Sequence, residues 1–182
     1  MSDALLPTLV LGGARSGKSA FAERLVVASG LVPVYCATAE ARDAEMRERI
    51  ARHRADRAAA GWTTVEEPLD LCGVIDREAR AGRALLVDCL TLWLSNVMLR
   101  DDDVTARQAD LLACLGQAAG PVVFVSNEIG LGLVPETPLG RRFRDAQGRL
   151  NQAVAAACAR VVFVAAGLPL VLKQPSQGLS TP

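Results

Sequence analysis

Gly12-Gly13-Ala14-Arg15-Ser16-Gly17-Lys18-Ser19 decides the fold of this 182-residue chain. The stretch follows the apolar run Thr8-Leu9-Val10-Leu11 and leads into a helical pattern over Lys18–Ser29 that stops before Gly30. A Gly-x-x-x-x-Gly-Lys-Ser string between a strand and a helix is the P-loop pattern. Its glycines let the backbone turn so that successive N–H groups face phosphate oxygens. The helix that starts there adds the positive end of its dipole. Lys18 has the reach to meet β- and γ-phosphates, and the Ser19 hydroxyl suits Mg²⁺. The expected nucleotide site therefore comprises Gly12, Gly13, Ala14, Arg15, Ser16, Gly17, Lys18 and Ser19, with Lys18 catalytic. A Gly-rich turn with a chance lysine is the bland alternative, and the strand–loop–helix context speaks against it.

Short apolar runs alternate with helical patterns through the rest of the chain. Pro33–Ala37 predicts a second strand, Arg42–Arg57 a charged helix and Trp62–Val65 a short strand. Pro68 is expected to open another helix, at a position where a missing N–H costs little. Ala84–Asp88 predicts a third buried strand ending in an acid. Helices are expected over Thr91–Met98 and Val104–Ala118, with Asp101-Asp102-Asp103 as a solvated loop between them. Val122–Val125 predicts a strand, followed by a Gly/Pro-rich loop over 127–138. Leu139, Phe143, Ala146, Leu150, Val154 and Cys158 recur at helical spacing on one face. Val161–Val164 and Leu170–Leu172 close the pattern as strands. Near-continuous apolar strands alternating with helices imply burial on both sheet faces and right-handed crossovers. The expected fold is a three-layer α/β P-loop NTPase (RecA-like) architecture with a mostly parallel central sheet. It should form one domain over residues 1–173, and the polar tail 174–182 should be disordered.

Composition narrows the function class. Lys+Arg 20 balances Asp+Glu 20, so no global field points to nucleic acid or an anionic membrane. Hydrophobic residues at 51% supply a full core without staples. The five cysteines, Cys36, Cys72, Cys89, Cys114 and Cys158, show no metal-ligand spacing. All five are expected to be reduced and structural, as in a cytosolic chain. The N-terminus lacks a signal peptide's charged start and long apolar stretch. No apolar run approaches the ~20 residues of a membrane span. A cytoplasmic location is expected.

Two further features point toward phosphate chemistry. Asp88 ends an apolar strand, the position from which an acid serves a Mg²⁺ site in P-loop proteins. Ser19 and Asp88 are the expected metal residues. His53, the one histidine of the chain, lies within Arg49-Ile50-Ala51-Arg52-His53-Arg54-Ala55-Asp56-Arg57. On a helix, Met46, Ile50, His53 and Arg57 share a face, which puts His53 at the rim of a packed surface. Neighbouring arginines favour the neutral, nucleophilic imidazole and can bind phosphate oxygens. Composition alone favours a solvated helix with charge pairs and an incidental histidine.

The ordered set of motifs resembles the bifunctional adenosylcobinamide kinase / adenosylcobinamide-phosphate guanylyltransferase family of cobalamin biosynthesis. Its carriers are Gly12–Ser19, Arg49–Arg54, Trp62–Pro68, Ser126–Pro135 and Phe143–Gln152, in the family's order across roughly residues 8–173. The resemblance implies two reactions. ATP or GTP phosphorylates the hydroxyl of the aminopropanol arm of adenosylcobinamide. GTP then transfers GMP to adenosylcobinamide phosphate, releasing pyrophosphate and giving adenosylcobinamide-GDP. The family's guanylylated histidine maps onto His53. Its nucleotide contacts map onto the P-loop, Ala37, Thr38, Ala39, Arg54, Ala55, Asp56, Arg57, Glu66 and Asp88. Some relatives carry Glu at the place of Asp88, and some carry two adjacent histidines where this chain has Arg52-His53. Glu128 is a candidate general base for the kinase step, with a loop-stabilising hydrogen bond as the competing role. The resemblance also implies a homo-oligomer, expected to be a trimer, with the corrinoid in a cleft between subunits. A different small-molecule P-loop kinase and a non-catalytic GTP-binding switch remain the alternatives.

Overall fold

Seven of the apolar runs are strands in a computed structural model that describes residues 5–40, 48, 55 and 57–175. They are β1 (Thr8–Gly12), β2 (Val32–Ala37), β3 (Thr63–Glu66), β4 (Arg83–Asp88), β5 (Val122–Asn127), β6 (Arg160–Ala165) and β7 (Leu168–Lys173). The helices with described bounds are α1 (Lys18–Ala28), α2 (Leu71–Glu78), α3 (Leu90–Leu99), α4 (Val104–Gln117) and α5 (Pro138–Ala157). The strands form one sheet in the order β3-β2-β4-β5-β1-β6-β7. Every pairing is parallel except β6 with β7.

Val- and Leu-rich strands suit a sheet buried on both faces, and alternate residues feed two cores. Leu9, Val34, Cys36, Leu85, Val87 and Phe124 pack beneath α2, α3, α4 and α5. Val10, Tyr35, Leu86, Val123, Val125 and Val162 pack against Ala22 and Val26 of α1 and against Trp62. The three layers and the mostly parallel sheet are those expected from the alternating pattern. The apolar stripe of α5 is also present, with Ala146, Leu150 and Val154 buried. Leu139, its expected first member, is exposed.

Several expectations are corrected. Pro68 does not open a helix. As the residue before a proline, Glu67 is turned away from helical backbone, and its Oε1 accepts from the amides of Leu69 and Asp70, each at 2.9 Å. The helix starts at Leu71, capped by Asp70, whose carboxylate accepts from Gly73 N at 2.9 Å. β3 begins one residue after Trp62, because the Trp62 amide closes a turn onto Arg57 O at 3.0 Å. β7 is an edge strand exposed along its whole length rather than a buried one. It returns from β6 through Ala166 and Gly167, at φ 51° and 79°. That pair of positive φ values is the geometry of a tight hairpin turn.

The cysteine reading changes too. Cys72 on α2 and Cys114 on α4 form a disulfide, with Cα atoms 5.6 Å apart. Their sequence separation of 42 hides a proximity that only the packing of α2 on α4 creates. Cys36, Cys89 and Cys158 are free and buried, as expected. Asp103 is not simply solvated loop: its carboxylate caps α4, accepting from Thr105 and Ala106 amides at 2.8 and 3.1 Å. Of the helix expected over Arg42–Arg57, Glu48, Ala55 and Arg57 are helical, and the rest lies outside the described residues, as does the tail from 176.

Candidate nucleotide site at the carboxyl edge of the sheet

Parallel strands deliver their last residues to one edge of the sheet, where open α/β folds bind ligands. Here the register aligns Gly12 with Asn127, Ala37 with Asp88, and Ala37 with Glu66. The sheet thus brings together the ends of β1, β2, β3, β4 and β5, and with them most of the described candidate residues.

The loop 13–17 joins β1 to α1. Gly17 stands immediately before α1 at φ 92°, and Arg15 also has positive φ, at 57°. Gly12 has no room for a side chain: a Cβ there would meet Ser16 Oγ and Val164 O, each at 2.5 Å. The hairpin turn after β6 buttresses the loop from outside, with Gly167 N donating to Ser16 O at 2.8 Å. A Cβ on Gly17 would press on Gly167 Cα at 3.3 Å. Lys18 is buried to 9% exposure, and its Nζ donates to Gly13 O at 3.1 Å. The ammonium is therefore folded back over the loop. Ser19 is half-buried in the first turn of α1, and Gly13, Ala14 and Ser16 complete the loop. Among the described residues Ser16 Oγ is buried without a partner.

Asp88 is half-buried at the end of β4. Its Oδ2 accepts from the Tyr35 hydroxyl at 3.0 Å. Burial pushes the Tyr35 phenol far above its ordinary value, and the Asp88 carboxylate pushes the same way. The hydroxyl is a settled donor. The guanidinium of Arg57 lies 3.4 Å from the centre of the Tyr35 ring, and its Nε reaches Glu23 Oε1 at 3.4 Å. Trp62 meets the same ring edge-on, with centroids 6.1 Å apart. Arg57 is thus held on Tyr35 and α1.

The Thr38 side chain is engaged within the protein. The residue is fully buried. Its hydroxyl donates to Cys89 O and accepts from Cys89 N, both at 2.8 Å. Its amide donates to Asp88 O at 3.2 Å, and its carbonyl accepts from Asn96 Nδ2 at 2.9 Å. These bonds tie the end of β2 to the cis Asp88–Cys89 peptide and so fix where Asp88 stands. Ala37 carries its carbonyl to Glu67 N at 3.0 Å, and Ala39 is half-buried beyond it. Glu66 is exposed at the end of β3. Burial pushes the Cys89 thiol up to about 11, with Asp88 adding to the shift and Lys18 among the groups opposing it.

Glu128 follows β5, and its carboxylate accepts from the amides of Gly130 at 2.7 Å and Leu131 at 3.1 Å. Those bonds are the loop-stabilising role that competes with a general base. Ala55 is exposed, and His53, Arg54 and Asp56 lie outside the described residues.

Sequence reasoning passed over a polar cluster at the end of β5. Gln147, fully buried, donates from Nε2 to Ser126 Oγ at 3.0 Å and Asn151 Oδ1 at 2.9 Å. Asn151 Nδ2 donates to Asn127 O at 3.1 Å, and Thr91 Oγ1 accepts from Asn127 N at 2.8 Å. Polar residues at 147 and 151, one turn apart on a helix whose neighbouring positions are apolar, were the available signal.

Comparisons with known proteins bear on the family and the fold. The family model described as cobinamide kinase / cobinamide phosphate guanyltransferase matches residues 8–172. The chain is 56% identical over 167 residues to the bifunctional adenosylcobalamin biosynthesis protein CobP of Pseudomonas aeruginosa, covering 91% of this chain and 96% of that one. It is 37% identical over 180 residues to the bifunctional adenosylcobalamin biosynthesis protein CobU of Escherichia coli, covering 91% and 98%. Among solved structures it is similar to the RadB recombinase, with a TM-score of 0.52 at 16% identity over 87% of this chain and 75% of that chain. That last likeness concerns the fold alone.

Proposed function

The chain belongs to the cobinamide kinase / cobinamide phosphate guanyltransferase family, and on that premise we propose that it catalyses both reactions in cobalamin biosynthesis. ATP or GTP phosphorylates adenosylcobinamide, and GTP then donates GMP to adenosylcobinamide phosphate. The observation that carries this reading is a P-loop closed by Gly12 and Gly17, with Lys18 folded over it and Asp88 on the same sheet edge.

In the kinase step, loop amides and the Lys18 ammonium hold the β- and γ-phosphates. The acceptor hydroxyl oxygen bonds to the γ-phosphorus as the bond to the β,γ-bridging oxygen breaks. The electron pair stays on the departing diphosphate, and the hydroxyl proton passes to water. Asp88 and Ser19 are hard oxygen donors of the kind Mg²⁺ takes together with phosphates and water. Among the described residues no group of three or more His, Cys, Asp or Glu could hold a metal. The donor set therefore fits an ion completed by substrate. Bound there, Mg²⁺ would neutralise charge on the transferring and leaving phosphates.

In the second step an imidazole nitrogen of His53 bonds to the α-phosphorus of GTP and pyrophosphate leaves. A phosphate oxygen of adenosylcobinamide phosphate then displaces the histidine, breaking the N–P bond and regenerating the imidazole. Ala37, Ala39, Arg54, Ala55, Asp56, Arg57 and Glu66 are assigned to the nucleotide, with Glu66 accepting from guanine N–H groups. Thr38 contributes by fixing Asp88. The catalytic unit is the single domain over residues 1–173. The exposed Leu168, Leu170, Val171 and Leu172 of edge strand β7 favour a homo-oligomer, with a trimer the state to look for by sedimentation. Among the described residues no helix is long and apolar enough to cross a membrane.

GTP labelled in the α-phosphate tests the assignment. The expected result is an acid-labile, alkali-stable protein label that is lost in His53→Ala, while that variant still phosphorylates adenosylcobinamide. Labelling that persists without His53 removes it as the nucleophile. Lys18→Ala should impair both steps.

A further inference from the structure

β7 is the last strand of the sheet, paired with β6, and its six residues are all exposed. It adds no side chain to either hydrophobic core, so core packing does not account for it. Its connection to β6 is the two-residue turn Ala166-Gly167, flanked by the paired residues Ala165 and Leu168. The hydrogen bond that closes such a turn joins the flanking residues, which leaves the Gly167 amide for another acceptor. That amide donates to Ser16 O, in the P-loop, at 2.8 Å. Turn and loop touch at this point, since a Cβ on Gly17 would meet Gly167 Cα at 3.3 Å.

A trans peptide points its C=O and its N–H to opposite sides. Among the described residues the cis bond is Asp88–Cys89, so the Ser16–Gly17 peptide is trans. Holding the Ser16 carbonyl against the hairpin therefore turns the Gly17 N–H away from it, toward the interior of the loop. Gly17 N donates to no acceptor among the described residues, and an amide left over at a helix start is available to an anion. At the other end of the loop, Glu128 N donates to Gly12 O at 3.1 Å. The chains leaving the two strands that flank β1 thus each hold one carbonyl of this segment from outside. Glu128 does so by continuing the β1–β5 register past Asn127. Gly167 lies beyond the last β1–β6 pair, Gly12 with Val164, and it meets the loop because the chain reverses there.

We propose that Gly167 is a positioning residue for nucleotide binding and phosphoryl transfer. The β6–β7 turn holds the Ser16–Gly17 peptide with its N–H aimed at a β-phosphate oxygen, the phosphate that P-loop amides cradle. The inference rests on the P-loop as the nucleotide site and is independent of which hydroxyl receives the phosphate. An amide fixed before the nucleotide arrives adds its hydrogen bond without the cost of ordering the loop. In phosphoryl transfer the acceptor oxygen bonds to the γ-phosphorus and the bond to the β,γ-bridging oxygen breaks. The electron pair stays on the diphosphate, and the hydroxyl proton passes to water. Negative charge therefore grows on the β-phosphate side, where a donor already in place stabilises it without reorganising. The contact is stronger in the transition state than in the ground state, so it serves kcat as well as affinity.

The test compares three variants with the unmodified chain, with ADP as the calorimetric probe alongside kinase turnover and urea midpoints. A Cβ at Gly167 meets nothing within 4 Å, so Gly167→Val acts through the positive φ of 79° and not through crowding. Gly167→Asn tolerates that φ and keeps the amide where it is. One glycine inserted between Ala166 and Gly167 gives a three-residue turn, which hairpins accommodate, and shifts the amide without a strained side chain. Gly167→Val and the insertion should each weaken ADP by about tenfold, the worth of one charge-assisted hydrogen bond. Their kinase kcat at saturating nucleotide should fall by roughly tenfold, and Gly167→Asn should stay within about twofold in both measurements. By NMR, ADP should move the Gly17 amide proton downfield in the unmodified chain and move it less in the insertion variant. A turn of structural importance alone would lower the urea midpoint and leave ADP affinity and the Gly17 response unchanged. That result in either folded variant would overturn the proposal. If ADP affinity depends on Gly167 as expected and the unmodified chain does not phosphorylate adenosylcobinamide, the cobinamide reading fails and this one stands.

Discussion

The Tyr35 hydroxyl donates to Asp88 Oδ2 at 3.0 Å across the 53 residues that separate them in the chain. The bond joins adjacent strands, because Tyr35 and Asp88 lie on β2 and β4 and share the sheet face that carries α1. It holds the carboxylate by one oxygen and leaves the other for the site. Arg57 stacks on the same ring, so one aromatic residue connects the end of the arginine-rich segment with the acid assigned to the metal.

Tyr35→Phe should therefore move Asp88 rather than empty the core. The ring and its packing remain, and a hydrogen bond to a charged group worth about 1.5–3 kcal/mol is lost. The expected outcome is a higher Mg²⁺ requirement in the kinase assay with little change in ADP affinity measured without the metal. A variant whose Mg²⁺ dependence matches the unmodified chain would refute the positioning role.

Thr38→Val tests the tie between β2 and the Asp88–Cys89 peptide. The substitution keeps the shape and removes the hydroxyl that serves both Cys89 N and Cys89 O. Two buried backbone groups lose their partner, which should cost roughly 2–4 kcal/mol by denaturant unfolding. Stability within about 0.5 kcal/mol of the parent would return Thr38 to the ligand contacts.

Glu128→Gln separates base from brace. Glutamine keeps one acceptor oxygen for the Gly130 and Leu131 amides and cannot take a proton. Kinase turnover within about threefold of the parent is the expected result, since general-base catalysis is worth roughly 100-fold or more. A loss of that size in a variant of unchanged stability would restore the catalytic role.

The buried thiols predict the alkaline limb of stability. Burial raises Cys36 and Cys158 to about 12 and Cys89 to about 11, from an ordinary 9.0. The unfolded chain releases these protons above about pH 9, and the fold retains them until the raised values are passed. The unfolded state then binds fewer protons, so stability falls as pH rises through that window, by up to about 1.4 kcal/mol per pH unit for each thiol. Below pH 9 the contribution is complete. Urea midpoints measured from pH 7 to pH 10.5 should decline, and Cys36→Ala should flatten the slope; equal slopes would remove Cys36 from the account.

Much of the site was legible before any fold was seen, and the reason is local. The P-loop needs a particular run of φ values and inward amides, and Gly12, Gly17 and Lys18 encode these within eight residues. Other assignments failed because their causes were distant. The Cys72–Cys114 disulfide depends on how α2 lies on α4. The helix expected at Pro68 is displaced by Glu67, whose side chain satisfies the two amides that follow.

By itself, then, the sequence determined the alternation of strands and helices, the phosphate loop, the acid at the end of β4 and the resemblance that names the chemistry. Each follows from hydrophobic period, turn stereochemistry or an ordered motif, all of short range. Only the tertiary structure decided that β5 stands between β1 and β4, that Thr38 holds a peptide rather than presenting a free hydroxyl, and that Asn127 pairs with Gly12 while its Oδ1 is unmatched among the described residues. Strand order and register arise from the packing of two whole cores against one sheet, and no local run of residues contains that information.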